Sequence, residues 1–342
     1  MKVLLGMSGG VDSAVSALLL QEQGYEVIGA TMKVNSNQEK DIQDAKNVCD
    51  QLGIQHFVFD YMKEFKEYVI SYFINSYLNC ETPNPCIECN KFLKFNLLYN
   101  EAQKLGCDFL ATGHYAKTKF VEKYNKKMIL KSNAGYKDQT YVLYSINKDI
   151  LDKLIFPLGK FENKEQIRKI AEEHKLKVFS KNDSQDICFI PNDDYVSFLK
   201  EYAGYKDVIG NIVDENGNVL GQHNGLIKYT IGQRKGMGIS NPEPLYVISL
   251  DKEKNQVIVG NIDDLLKKDL QAKDLNFHID YLEKNMNIQA KIRYASKSEN
   301  AILNVDNNIG YCTFSNMQKS ITPGQSVVFY DGDILVGGGK II

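Results

Sequence analysis

The sequence predicts an α/β protein: a doubly wound parallel sheet first, then a small α+β central domain, then a C-terminal β-barrel. Three observations carry this. Short apolar strands alternate with helical stretches through the first third of the chain. Gly and Asn punctuate the chain after Gly204. From about residue 270 the apolar residues recur at every second position. The domains are expected to span residues 1–160, 161–268 and 269–342.

Residues 2–5 read as the first strand. Residues 12–23 have helical periodicity, with Ala14, Ala17, Leu18 and Leu20 able to face a core, and Gly24 ends them. A second strand is predicted over 26–33, a second helix over 41–52 closed by Gly53, and a third strand over 55–59. A helix over 88–105 and a strand over 107–112 follow, then a helix over 164–175. Strands separated by helices of this length imply a parallel sheet. Asp214 to Asn218 reads as a hairpin turn. Ile288, Ala290, Ile292 and Tyr294 alternate with Gln289, Lys291 and Arg293, and Asp331-Gly332 is a strong turn dipeptide.

The chain has 342 residues, 43% of them hydrophobic and 25% charged, which is the profile of a globular protein of two or three domains. No stretch approaches the ~20 apolar residues of a membrane span, and the N-terminus is too short in apolar residues for a signal peptide, so a cytoplasmic protein is expected. A net charge of −2 leaves a polyanionic partner to local basic patches. The lysines at 117, 119, 123, 126 and 127 form one such cluster, although on charge alone they read as a solvated hairpin.

Ser8-Gly9-Gly10-Val11-Asp12-Ser13 sits between a strand and a helix. Paired glycines let backbone amides turn inward to form an anion site, and the helix N-terminus adds positive potential there. The hydroxyls of Ser8 and Ser13 could donate to phosphate, while Asp12 suits Mg²⁺ or a helix cap. No lysine lies inside the loop, so it is not a GxxxxGK[ST] motif. It resembles the pyrophosphatase-type (PP) loop of the ATP-adenylating enzymes, which implies cleavage of ATP between its α and β phosphates. In such a sheet the nucleotide lies across the strand C-termini, where Met32 and Gly113 could approach adenosine.

Cys86 and Cys89 follow a loop stiffened by Pro83 and Pro85, and Cys188 follows a polar stretch. Cys89, near a helix start and beside Lys91, is expected to have a lowered pKa. Cys49, Cys80, Cys107 and Cys312 read as core residues. A zinc site is disfavoured because there is no second CxxC. A [4Fe–4S] cluster on Cys86, Cys89 and Cys188 is the stronger rival.

SGGVDS, TPNPCIECNK, ATGHYAK, KDQTYVLY, SQDICFIP and TPGQSVVFYDGD occur in this order. Together they resemble the bacterial tRNA-specific 2-thiouridylase family over nearly the whole chain. The resemblance implies tRNA 2-thiolation: ATP with Mg²⁺ adenylates the C2 oxygen of the wobble uridine, and sulfur then replaces it. It puts the nucleophile on Cys89 and the persulfide on Cys188. It puts ATP contacts on Gly6, Met7, Ser8, Gly9, Gly10, Val11, Asp12, Ser13, Met32 and Gly113. The tRNA contacts fall on Asn84, Pro85 and Cys86 at the target base, and on His114, Lys137, Asp138, Gln139, Arg293, Tyr294 and Gln325. By the same resemblance the partners are the anticodon stem-loops of lysine, glutamate and glutamine tRNAs and a sulfur-donor protein, either a cysteine desulfurase or a relay protein. A monomer is expected. Some members carry an acid–base aspartate where this chain has Cys86, and a thiol replaces it only if its pKa suits. Read from residues alone, His114 is as readily structural as functional, Arg293 is by default a solvated side chain, and 137–139 look like a helix start. A non-catalytic, nucleotide-dependent RNA-binding module is the alternative from another class, and it would leave two reactive-looking cysteines idle.

Overall fold

The computed structural model describes residues 1–178 and 187–342. Ser184, Gln185 and Asp186, which open the SQDICF segment, lie outside the described residues, as does Asp183 before them.

The first part contains strands β1 (Lys2–Gly6), β2 (Glu26–Lys33), β3 (Gln55–Asp60), β4 (Phe109–Thr112), β5 (Ala116–Val121), β6 (Lys126–Lys131) and β7 (Leu154–Ile155). Five of them form one parallel sheet in the order β3-β2-β1-β4-β7. Strand order reverses between β1 and β4, which makes that crevice the place where a doubly wound sheet holds its ligand. Helices α1 (Val11–Glu22) and α2 (Glu39–Leu52) lie where periodicity places them, and Gly53 closes α2 in the left-handed conformation. The helix Lys164–Glu173 packs Ile167 and Ala171 into the same core as α1. A single core therefore runs from Val3 to Val178.

On the other sheet face the predicted helix over 88–105 is divided. A turn at Pro85–Glu88 leads into a π-helix, Cys89–Leu97, and then an α-helix, Leu98–Lys104. Periodicity misses the π segment because its i→i+5 bonding is rare and has no composition signal.

A second sheet has the order β10 (Tyr246–Asp251), β11 (Gln256–Gly260), β8 (Ile209–Val213), β9 (Val219–Asn224). The predicted turn joins β8 to β9, with Asp214 Oδ1 accepting from the amides of Asn216 and Asn218.

The last part is an antiparallel barrel of β12 (Leu266–Phe277), β13 (Met286–Lys291), β14 (Glu299–Asp306), β15 (Ile309–Lys319), β16 (Ser326–Asp331) and β17 (Ile334–Ile341). It closes because β12 pairs with both β15 and β17. The lysine-rich hairpin β5–β6 is not a free surface element. It joins the barrel sheet through Leu130 opposite Ile334, and Lys123 and Lys126 pair with Asp331 and Asp280. Val328, Tyr330 and Leu335 of the barrel share a core with Leu4, Ile87 and Phe95, so the barrel is seated directly on the parallel-sheet domain. Tyr141 donates to the carbonyl of Ser326 at 2.7 Å across that seam. Among the described residues no helix is long and apolar enough to cross a membrane.

Candidate active site

The loop after β1 ends in Gly10, which caps α1 without any side-chain hydrogen bond, so the first amides of the helix stay open to an anion. Gly9 has φ +69, and a Cβ there would lie 2.3 Å from the carbonyl oxygen of Asp41, so only glycine fits. Gly113, just past β4, faces the same loop: a Cβ on it would meet the Ser13 amide and the Asp12 carbonyl carbon at 3.2 Å. Ser13 is buried and donates to Gly10 O, while Ser8 is exposed. Asp12 neither caps the helix nor stands free. Its oxygens accept from Tyr115 Oη and Lys164 Nζ, both at 2.9 Å. The lysine absent from the loop sequence is thus supplied by the first residue of the helix at 164–173.

The second half of the site is built on the π-helix. Cys89 opens it, half-buried, and shares an apolar cluster with Phe92, Leu93 and Phe189. Phe189 packs edge-on to Phe65 and Phe73 at 5.6 and 5.3 Å, which anchors the neighbouring Cys188. Cys188 lies within electrostatic range of both Cys89 and Cys86, so the fold brings two cysteines 99 positions apart in the chain into one region. All three thiols are free.

The expected low pKa of Cys89 is overturned. Burial pushes its thiol up, and the neighbouring Cys86 adds to the rise. Lys91 is no help to it, since its Nζ lies 5.0 Å over the Phe92 ring on the exposed side. The cation that opposes the rise is Lys94, which acts on Cys86, Cys89 and Cys188 alike. Cys188, exposed on one side, is desolvated on the other and crowded by the two thiols, which lift it to about 12. On an α-helix Lys94 would stand about 140° round the axis from Cys89; the wider i→i+5 turn brings the two onto one face.

Family models match the chain throughout. Residues 1–192 match a domain described as the tRNA methyl transferase HUP domain, residues 196–261 the tRNA methyl transferase PRC-barrel domain, and residues 267–341 the aminomethyltransferase beta-barrel domain. The tRNA-specific 2-thiouridylase MnmA of Clostridioides difficile strain 630 is 45% identical, covering 99% of this chain and 98% of that protein. Its counterpart in Acetivibrio thermocellus is 44% identical, covering 99% of each. The chain belongs to the tRNA-specific 2-thiouridylase family. Among solved structures, a 4-thiouridine synthetase–RNA complex with bound ATP aligns over 58% of this chain and 50% of that one, at 17% identity and a TM-score of 0.41, a distant likeness only.

The residues that the thiouridylase resemblance assigns to tRNA fall into two groups. Asn84 caps the turn before the cysteines, its Oδ1 accepting from the Cys86 amide at 3.2 Å, and Pro85 follows at the first helical position. Tyr294, from the barrel, lies near Cys86 and stands edge-on to Tyr141 at 6.2 Å. These line one place with the thiols. The rest are tied into the scaffold. Lys137 closes a 3-10 turn, Gly135–Lys137, and Gln139 caps the 3-10 helix Thr140–Leu143, so the helix start expected at 137–139 opens a 3-10 and not an α-helix. Asp138 is buried and accepts from the Ser132 amide. Gln139 Oε1 accepts from the Tyr115 amide, which links this segment through Tyr115 to Asp12 and the phosphate loop. Arg293 is not simply solvated: it donates to Ser320 O and Thr322 Oγ1, both at 2.8 Å. Gln325 donates to Thr82 O at 2.8 Å. His114 is buried between Phe95 and Phe156, its Nδ1 2.7 Å from Thr112 Oγ1, and burial with Lys94 nearby holds it neutral.

Sequence reasoning missed Lys94 and Lys164, which stand outside the motifs read as functional, and Tyr115, which lies inside ATGHYAK but carries no assigned role. Spacing offers no signal for the two that come from other elements, and Lys94 needed the π-turn. Asn90 was also passed over. It is buried, donates to Val142 O at 2.8 Å, and its Oδ1 has no partner. Among the described residues no group of three or more His, Cys, Asp or Glu side chains is arranged to hold a metal ion. A [4Fe–4S] cluster on the three cysteines is therefore unsupported, and no step is assigned to one.

Proposed function

We propose that this chain replaces the C2 oxygen of the wobble uridine of tRNA with sulfur, at the cost of one ATP cleaved to AMP and pyrophosphate. One observation supports this above the others. Lys94 lies within electrostatic range of the three cysteines and of His114, and Gly113 beside His114 packs against Asp12 and Ser13 of the phosphate loop. A nucleotide site and a pair of thiols from distant parts of the chain are thereby adjacent. Methyl transfer, the activity in the description of the family model, would use neither.

A uracil carbonyl oxygen is a poor leaving group. Attack of that oxygen on the α-phosphorus expels pyrophosphate and makes it part of a good one, AMP. The open amides of α1, with Lys164 beside them, suit the phosphates. Asp12, whose oxygens accept from Tyr115 and Lys164, is the loop carboxylate that would hold Mg²⁺, and the ion would neutralise triphosphate charge. Cys188 carries the persulfide. Either its terminal sulfur bonds to C2 as AMP leaves, and Cys89 then attacks the Cys188 sulfur, breaking the S–S bond and freeing the thiouridine, or Cys89 attacks the Cys188 sulfur first and releases hydrosulfide, which bonds to C2 as AMP leaves. In both routes the two thiols end as a disulfide, and a thiol reductant must return two electrons before the next turnover. The target base leaves its stack to reach the thiols, with Pro83, Asn84 and Pro85 as one wall. Lysine, glutamate and glutamine tRNAs are the substrates, a persulfide-bearing protein is the donor, and the chemistry belongs to the cytoplasm, where tRNA is processed.

The test is nucleoside mass spectrometry of tRNA incubated with the protein, ATP, Mg²⁺ and a persulfide donor. 2-Thiouridine should accumulate, and Cys89→Ser and Cys188→Ser should each abolish it while ATP still binds. If tRNA-dependent pyrophosphate release is absent from the unaltered protein, the proposal fails.

A further inference from the structure

Glu88 lies between Cys86 and Cys89 and is only 4% exposed. A carboxylate buried there is unfavourable unless paired. Its partner comes from the far end of the chain: Lys340 of β17, whose Nζ is 3.0 Å from Glu88 Oε1. The same ammonium lies 4.2 Å over the ring of Tyr72 and 3.6 Å from Asp274. A second grip stands six residues earlier in the cysteine segment. The Thr82 amide donates to Pro323 O at 2.9 Å, and Gln325 donates back to Thr82 O at 2.8 Å. Gly324 closes against them so tightly that a Cβ would lie 2.8 Å from the Thr82 nitrogen. The barrel thus clamps the segment on both sides of the Pro83–Asn84–Pro85 loop, and neither clamp touches the thiols themselves.

We propose that Glu88 and Lys340 are a positioning pair, through which the seated barrel sets where Cys86 and Cys89 point. A buried ion pair contributes little net stability, and in some proteins its role is to specify one geometry. Here the geometry specified is that of the turn carrying the nucleophile. Because the barrel also presents Tyr294 beside Cys86, the pair fixes the thiols relative to a wall of the base pocket made by another domain. This inference rests on the proposed thiolation chemistry.

The test compares Lys340→Met, Lys340→Arg and Glu88→Gln with the unaltered protein in thiolation assays run well below each variant's melting temperature. Lys340→Met should lower kcat at least about tenfold, since misplacing a reacting group by about an ångström costs one to two orders of magnitude. KM for ATP should stay unchanged, and iodoacetamide labelling of Cys89 should change in rate. Lys340→Arg, which keeps the charge, should recover most of kcat. A merely structural pair would lower the melting temperature and leave kcat per folded molecule intact; that result, or a Lys340→Met enzyme within about twofold of normal, overturns the proposal. If Lys340→Met does not fold, Glu88→Gln decides by the same measures. If the unaltered protein makes no 2-thiouridine, it is the thiolation chemistry that has failed.

Discussion

A thiol attacks only as thiolate, so the raised pKa values of Cys89 and Cys188 set how the site can work. The thiolate fraction of a raised thiol grows about tenfold per pH unit below its pKa. Iodoacetamide labelling of both cysteines should therefore be slow near pH 7 and climb steeply up to about pH 9. A rate that levels off below about pH 8 would contradict burial as the dominant influence on Cys89. Lys94 favours the ionised form of all three thiols. Lys94→Met should push the labelling curve of Cys89 to higher pH and lower thiolation, without loss of ATP binding. Lys91→Met, on the exposed side, should do neither.

At the scale of the element, two loops meet at the switch point and leave no spare room. Gly113→Ala would put a methyl group 3.2 Å from the backbone of Asp12 and Ser13, closer than ordinary contact. Gly9→Ala would meet the Asp41 carbonyl oxygen at 2.3 Å and would also strain a residue at φ +69. Both should raise the Kd for ATP at least about tenfold, which is a loss of only ~1.4 kcal/mol, while circular dichroism stays native. Gly9→Ala should be the more severe, because its backbone clash is at much shorter range and its φ is positive. The π-helix shows the limit of periodicity: its buried Asn90 and Leu93 have the i,i+3 spacing of a helix, yet the pitch that brings Lys94 towards Cys89 is decided by packing.

Across the whole molecule, the barrel and the parallel-sheet domain are joined by buried polar contacts as well as by a shared core. His278 is one of these. It is wholly buried, its Nε2 3.2 Å from Ile146 O and its Nδ1 without a partner. Burial lowers its pKa from 6.5 to about 4. A depressed histidine pKa favours the neutral folded form, so this stability is present above about pH 6.5 and is lost as pH falls towards 4. The loss should reach up to about 3 kcal/mol. Urea midpoints at about pH 7 and pH 5 would measure it. In His278→Phe the acid-induced drop should be visibly smaller, and an unchanged drop would assign the effect to other groups.

The sequence by itself determined the strand–helix alternation, the phosphate loop and the turn at Asp214 to Asn218, because each rests on local periodicity or on residues adjacent in the chain. It also singled out Cys89 and Cys188, since their flanking motifs are contiguous. Only the tertiary structure decided that Lys164 supplies the loop's missing cation, that Lys94 rather than Lys91 faces the thiols, and that Lys340 holds Glu88. Burial, which turned the expected low pKa of Cys89 into a raised one, was equally out of sight. Each of these depends on groups far apart in the chain or on a helical pitch set by packing, and pair distances of that kind leave no trace in spacing or composition.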